Sequence, residues 1–192
     1  MKAQYKKNGL IEQVKMLCAR AAALSLILLP SIFGQAQIQD DKKPSSLSPA
    51  REAFERFKKL EGKWKGRSTK GWEETISYKT IAAGSVVVEN SFDAHPNETM
   101  MTMYLLDGER LMLAHYCVAK NQPRLVATSF EDGGKTITFT FLDGTNLPTR
   151  DRGHMDKAIV RFLDDNHITS RWTWYQDGKE SWMEEIQLER VP

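Results

Sequence analysis

The sequence has little cysteine, and this limits how the fold can be held together. Its 192 residues include two cysteines, Cys18 and Cys117. Cys18 lies in an N-terminal segment with the pattern of a removable signal, and its removal leaves one thiol and no internal disulfide. The remaining domain must therefore be held together by its hydrophobic core.

Common catalytic motifs are also lacking. The sequence contains no Gly-x-Ser-x-Gly, no His-Glu-x-x-His and no glycine-rich phosphate loop. Glu184 and Glu185 are adjacent, so on a strand they point to opposite faces, which does not suit a cooperating carboxylate pair. An enzyme of unknown reaction stays open as an alternative, with only a His and Cys cluster to support it.

An excess of charge of either sign is lacking as well. The chain has 27 basic and 25 acidic residues, and residues 1–36 hold five of the former and one of the latter. The remainder carries 22 basic and 24 acidic residues, a net charge of −2. A nearly neutral body gives no electrostatic reason to expect a nucleic-acid partner.

The longest apolar run is too short for a membrane span. It covers the 13 residues from Ala21 to Phe33, follows basic residues and precedes Gly34-Gln35-Ala36. These are features of a signal peptide over residues 1–36 that is cleaved after Ala36, with an uncleaved anchor as the alternative. We expect an exported protein, periplasmic or extracellular, with no stable membrane span after cleavage. Translation from Met16 instead of Met1 would give a more compact signal.

A polar tether and a short helix follow the predicted signal. Residues 37–47 are rich in Lys, Asp, Ser and Pro, which is typical of a disordered segment. Ser48 and Pro49 are typical of an N-cap and a first helical position, and Phe54 and Phe57 recur at helical spacing. The sequence predicts a helix from Ser48 to Leu60 at the start of a single domain, residues 48–192.

The rest of the domain has the pattern of strands separated by turn residues. Asp-Gly and Asn-containing turns divide ten predicted strands: Lys63–Thr69, Trp72–Ile81, Ser85–Asp93, Thr99–Leu106, Arg110–Ala119, Arg124–Phe130, Thr136–Leu142, Met155–Leu163, His167–Tyr175 and Glu180–Arg190. Ten antiparallel strands with short links avoid exposed edges by closing. The prediction is an all-β protein, a ten-stranded antiparallel barrel with a short N-terminal helix.

One predicted hairpin concentrates most of the candidate chemistry. Strand alternation places Leu113, His115 and Cys117 on one face, and Tyr116 on the other. Both faces are apolar enough to be buried, so periodicity leaves the choice open. We expect His115 to point inward, because binding barrels tolerate a few polar groups that orient a guest.

The late strands supply further candidates. His154 and Asp156 are predicted to share a face that Ala158 continues, where the carboxylate can orient the imidazole, or to be a solvated pair at a strand entry. Trp172 and Trp174 also share a face and are suited to lining a cavity or to filling a core. Several methionines add adaptable apolar surface.

The chain resembles calycin-type barrels in its opening, Leu60-Glu61-Gly62-Lys63-Trp64-Lys65-Gly66 after a short helix. In the hairpin AHYCVAKNQPRLVATSF, in Gly153-His154-Met155 and in the closing strand from Asn166 to Trp174 it is similar to the lipocalin-like DUF1579 family of exported bacterial proteins. The resemblance covers roughly residues 54–191 and implies a lipocalin-like barrel. The calycin group also includes the haem-binding nitrobindins.

Together these features predict an exported barrel that holds a small apolar or amphipathic ligand. The candidate ligand-binding residues are His115, Cys117, Leu113, His154, Trp172 and Trp174. The alternative is a metal- or haem-binding barrel that uses His115 with His154 or His167. No cofactor is named by the sequence, and no catalytic residue is predicted.

Overall fold

The computed structural model describes residues 47–92 and 97–192. The predicted signal peptide, residues 1–36, its cleavage site and the predicted tether up to residue 46 lie outside these residues, as does Asp93 at the predicted end of one strand. In the described ranges, no helix is both long and apolar enough to cross a bilayer.

Helix α1, Pro49–Lys58, begins where its capping residues predict. The Ser48 Oγ accepts a hydrogen bond from the backbone N–H of Arg51 at 3.4 Å, and proline occupies the first turn, where no N–H is needed. Phe54 and Phe57 are buried, as their spacing predicted. The Phe57 ring stacks on Tyr104 at 4.1 Å between ring centroids, so the helix closes one end of the structure.

Ten strands form the rest of the fold and confirm the predicted all-β, ten-stranded antiparallel barrel. They are β1 (Gly62–Ser68), β2 (Glu73–Ile81), β3 (Val86–Ser91), β4 (Met100–Asp107), β5 (Arg110–Tyr116), β6 (Gln122–Glu131), β7 (Thr136–Thr145), β8 (His154–Phe162), β9 (His167–Gln176) and β10 (Lys179–Arg190). A short 3-10 turn, Ala82–Gly84, joins β2 to β3.

Each strand pairs with its neighbours in the chain, and the first strand also pairs with the last. Strand β1 lies between β2 and β10, with Gly66 opposite both Glu74 and Leu188. This pairing closes the barrel and leaves no free edge, which is the outcome that ten short-linked strands favour. It also brings together residues that are more than a hundred positions apart.

The barrel interior has two halves of different chemistry. The half beside the helix is apolar and includes the fully buried Trp64, Leu113 and Phe139. The Trp64 indole donates a hydrogen bond to the carbonyl of Leu60 at 2.8 Å, and Arg190 lies over its ring. The opposite half contains most of the buried polar side chains of the interior, and it holds the candidate site.

Candidate functional site

A small cavity lies in the half of the barrel opposite the helix. Half of the lining residues are polar: Glu74, Glu89, Ser91, His115, Ser170 and Glu184. The other half are apolar: Ile76, Phe92, Met100, Met155, Trp172 and Ile186. The cavity volume is about 20 Å³, on a measure for which one water molecule needs about 10–15 Å³. We call this the interior cavity.

Barrel closure places two of its carboxylates close together. Glu74 lies on β2 and Glu184 on β10, and both strands flank β1. Gly66 on β1 is the direct partner of Glu74, and a Cβ at Gly66 would lie 2.6 Å from Glu74 Cγ. The missing side chain at Gly66 therefore provides the space that the Glu74 side chain occupies.

The three cavity carboxylates differ in their hydrogen bonding. Glu89 accepts a hydrogen bond from the Tyr104 hydroxyl at 2.8 Å and another from Tyr78. Glu184 accepts one from the Ser68 hydroxyl at 3.0 Å. Glu74 is 5% exposed, and neither of its carboxylate oxygens has a hydrogen-bond partner. Glu74 is thus the carboxylate with unused hydrogen-bonding capacity.

Burial and mutual repulsion favour the neutral forms of these acids. Loss of hydration, followed by the charges of Glu89 and Glu184, raises the pKa of Glu74 to about 8. Burial also raises the pKa of Glu89 and of Glu184, although their hydrogen bonds oppose that rise. A cation placed among them would oppose the shift at Glu74, because a nearby positive charge favours the ionised carboxylate.

His115 points into the same cavity, as expected for a polar group that orients a guest in a binding barrel. Its side chain is 3% exposed, and its Nδ1 lies 2.9 Å from the Thr102 hydroxyl. Its ring packs on Trp172 with 4.9 Å between centroids, and its Nε2 has no hydrogen-bond partner. Burial lowers the pKa of His115 to about 4, so the imidazole is neutral at physiological pH.

Three unpartnered polar groups therefore line one cavity. They are the Glu74 carboxylate, the His115 Nε2 and the hydroxyl of Ser170. Leaving a buried polar group without a hydrogen bond costs about 1–3 kcal/mol, and more for a charged group. Native structures rarely carry such a cost without use. The concentration of these groups marks the interior cavity as the candidate site.

The other candidates from the hairpin and from β9 do not line the cavity. Leu113 is fully buried in the apolar half, and Tyr116 points outward as predicted. Strand β5 ends at Tyr116, short of the predicted Ala119, so Cys117 lies in the following turn. Burial raises the pKa of the Cys117 thiol, which keeps it protonated. Trp174 is half-buried, and its indole donates to the Gln176 side chain at 3.1 Å.

The prediction that His154 and Ala158 lie on the same face of β8 is wrong, because the strand contains a bulge between them. Met155 pairs with Trp174 and Lys157 with the next residue, Thr173, so Asp156 is the extra residue. His154 pairs with Tyr175, which lies on the opposite face of β9 from Trp172 and Trp174. The bulge reverses the alternation, and His154 points away from the interior cavity.

His154 is nevertheless fully buried, within a cluster around Arg150. The Arg150 guanidinium lies over the rings of Phe141 and Tyr175, at 4.4 and 4.0 Å, and hydrogen bonds to Asp156 and to His154 Nε2. The His154 Nδ1 donates to the Arg152 carbonyl at 2.6 Å. The Arg150 guanidinium bridges the Asp156 carboxylate and the His154 ring, so each of these three side chains has a hydrogen-bond partner. The cluster fixes the loop from 146 to 153 against the barrel.

The three histidines of the metal or haem alternative lie at three separate places. His167 begins β9, is half exposed and contacts Asp164 at 2.9 Å. It precedes Trp172 by five residues, about 16 Å along a strand. In the part of the chain that the structure describes, no three His, Cys, Asp or Glu side chains form a group that could hold a metal ion.

The glutamates of the cavity were not predicted from the sequence. A signal for them does exist, because Glu74 continues the inward alternation of Ile76 and Tyr78, and Glu184 that of Ile186 and Leu188. A glutamate at a position that alternates with inward-facing apolar residues on a strand is predicted to have a buried carboxylate. That two such acids meet depends on the pairing of β1 with β10, which local patterns do not show.

Comparisons with known proteins add no relative. No family model matches the chain, and no curated protein matches it. A functional interpretation therefore depends on the barrel and on the chemistry of its interior cavity.

Proposed function

We propose that this barrel binds a small amphipathic molecule at the interior cavity. The observation that supports this best is the convergence of three unpartnered polar groups, on Glu74, His115 and Ser170, at one cavity of a closed barrel. A ligand that supplies hydrogen bonds to them would offset the cost of their burial. The proposal requires no metal and no covalent chemistry.

The balance of the lining supports an amphipathic ligand. Trp172, Met100 and Met155 offer adaptable apolar surface beside the polar groups. Small-molecule sites typically combine such walls with a few polar groups that fix the ligand's orientation. Because the cavity has room for about one water molecule, it fits a polar head group, with any longer apolar tail lying towards the barrel end.

Titration calorimetry with n-hexanol and the variant Ser170→Val tests this proposal. The added methyl groups fill the cavity, so we expect at least a tenfold loss of affinity relative to the unchanged protein. Thr169→Val is the matched control, since it removes a hydroxyl from the adjacent residue on the other face of β9. The proposal is wrong if hexanol, hexylamine and hexanoate all fail to bind, or if Ser170→Val binds them unchanged.

We also propose that the protein acts outside the cytoplasm, on the evidence of the N-terminal sequence pattern. The expected mature chain begins at Gln37. N-terminal sequencing of the exported protein tests this, and a product that retains Ala21–Phe33 would contradict it.

A further inference from the structure

We propose that the head group held in the interior cavity is a small ammonium, with Glu74 as its counter-ion. This inference rests on the proposed function, because it names the ligand class of the same site.

The charged groups of the cavity lining are all of one sign. Glu74, Glu89 and Glu184 contribute carboxylates, and among the described residues that line the cavity there is neither lysine nor arginine. A buried carboxylate is expensive unless it is paired with a cation or has its oxygens hydrogen-bonded. Glu89 and Glu184 have donors, whereas Glu74 has none. The group that best satisfies Glu74 is a cation that donates hydrogen bonds, and the same carboxylates disfavour an anion.

The side chain of Glu74 is held in the interior by its surroundings. It packs across Gly66, where any Cβ would collide with it, and it is only 5% exposed to solvent. The neighbouring Glu73 occupies the outer face of β2 and pairs with Arg67. Turning the Glu74 side chain outward would therefore require a one-residue shift of β2 against β1. The carboxylate is thus built into the cavity wall.

An ammonium matches the number and size of the unpartnered groups. A primary ammonium has three N–H donors on one compact head. The cavity offers three unpartnered acceptors: the Glu74 carboxylate, the Ser170 hydroxyl oxygen and the His115 Nε2. The imidazole is an acceptor at Nε2 when its Nδ1–H donates to Thr102. A planar guanidinium spreads its five donors over a wider group than the space for about one water molecule accommodates.

Binding of an ammonium should release a proton from Glu74. The pKa of this residue is about 8 in the barrel, so the cation pairs with a group that must first ionise below that pH. The titratable groups that face this part of the barrel are Glu89, Glu184, Tyr78, Tyr104, His115 and, acting on Glu184, Lys70. His115 is neutral above about pH 4, the tyrosine pKa values are raised, and hydrogen bonds oppose the rise at Glu89 and Glu184. We therefore expect the linkage near neutrality to come mainly from Glu74, the carboxylate without such bonds.

The test compares hexylamine with hexanol in titration calorimetry between pH 6 and pH 9. Hexylamine stays protonated over this range, as a lysine side chain does. We expect its affinity to rise about tenfold per pH unit up to about pH 8 and then to level off, whereas hexanol affinity stays flat. Heats measured in buffers of different ionisation enthalpy should show close to one proton released at pH 6.

Two matched variants identify the counter-ion. Glu74→Gln should lower hexylamine affinity at pH 8 at least tenfold and abolish its pH dependence, and this loss should exceed any loss of hexanol affinity in the same variant. Glu73→Gln makes the same change on the adjacent, exposed residue and should leave both affinities as they are. Circular dichroism and thermal melts confirm that both variants fold.

The outcomes separate the two proposals. At pH 8, hexanol binding with no tighter binding of hexylamine would show that the head group is not an ammonium, and the binding function would stand. Unchanged hexylamine affinity in Glu74→Gln would lead to the same conclusion. If hexanoate binds more tightly than hexylamine, the site prefers an anion and the inference is overturned. If none of the three probes binds, the proposed function falls, and the ammonium inference with it.

Discussion

Gly66 and Glu74 are direct partners across β1 and β2, and the glycine leaves the space that the glutamate side chain fills. A Cβ on Gly66 would also lie 3.0 Å from the Ile186 side chain on β10. The second glycine of the Gly-Lys-Trp-Lys-Gly segment is thus explained by packing inside the barrel. The conformation of a turn does not require it, since Gly66 is in the middle of a strand.

Gly66→Ala should destabilise the protein, because the new methyl group displaces Glu74 and Ile186. Overpacking of this kind typically costs about 1–3 kcal/mol. A urea titration measures the change in the free energy of unfolding. Lys65→Ala, on the exposed face of the same strand, should change it by no more than about 0.5 kcal/mol. A loss equally small for Gly66→Ala would show that the Glu74 side chain can move aside freely.

Glu74 should make the folded protein less stable as the pH rises. The unfolded chain releases this proton near pH 4.5, whereas the barrel retains it up to about pH 8. Between those values the contribution of Glu74 lowers the free energy of unfolding by about 1.4 kcal/mol per pH unit. Glu74→Gln should remove that slope in urea titrations at pH 5, 6 and 7. Glu73→Gln should retain it, and equal slopes in both variants would contradict the assignment.

His115 should act in the opposite direction at acid pH. Unfolded histidine gains a proton near pH 6.5, but burial lowers the pKa in the barrel to about 4. As the pH falls from 6.5 to 4, its contribution to the free energy of unfolding therefore declines by about 1.4 kcal/mol per unit. His115→Gln should abolish this decline. His167→Gln, at an exposed position, serves as the control and should leave it unchanged.

Trp64 should be one of the most costly core residues to truncate. It is fully buried, and its indole N–H is bonded to Leu60. Trp64→Ala should cost about 3–5 kcal/mol in denaturant titration. Trp64→Phe keeps an aromatic ring but loses the hydrogen bond, so an intermediate loss is expected. A loss below about 1 kcal/mol for the alanine variant would be incompatible with complete burial.

Arg150 should hold the loop from 146 to 153 without affecting the interior cavity. Arg150→Ala removes two ring contacts and the bonds to His154 and Asp156. Amide hydrogen exchange in this loop should become faster, with a stability loss of about 1–3 kcal/mol. Arg152→Ala, an exposed neighbour, is the control. Because His154 lies on the opposite face from Trp172, hexanol affinity should not change, and a tenfold loss would contradict that placement.

Features set by local pattern were predictable from the sequence. The Ser48 cap and the Phe54 and Phe57 stripe predicted α1 within two residues of its end, and the turn residues predicted all ten strands. Alternation placed His115 on the same face as Leu113, and the tolerance of binding barrels for a few inward polar groups favoured that face as the interior one. Each of these depends on chemistry within a few residues, where side-chain periodicity and turn preferences apply directly.

Features set by an irregularity or by distant pairing were not predictable in this way. The bulge at Asp156 reversed the face of His154, and the early end of β5 moved Cys117 into a turn. A single inserted residue changes every later side-chain direction, and no residue type marks it in advance. The approach of Glu74 to Glu184 required the closed barrel, which depends on the summed twist and stagger of all ten strands.

The pairing of β1 with β10 also has a consequence for the order of folding. The wall that carries Glu74 is on β2, and the wall that carries Glu184 is on β10, which is synthesised after the other nine strands. Contacts this distant in sequence form slowly, because the intervening chain must first be brought together. A nascent chain that lacks β10 has an open sheet with two unpaired edges and only part of the cavity. Ligand binding should therefore be a property of the completed chain, and a truncation before Lys179 should aggregate instead of binding weakly.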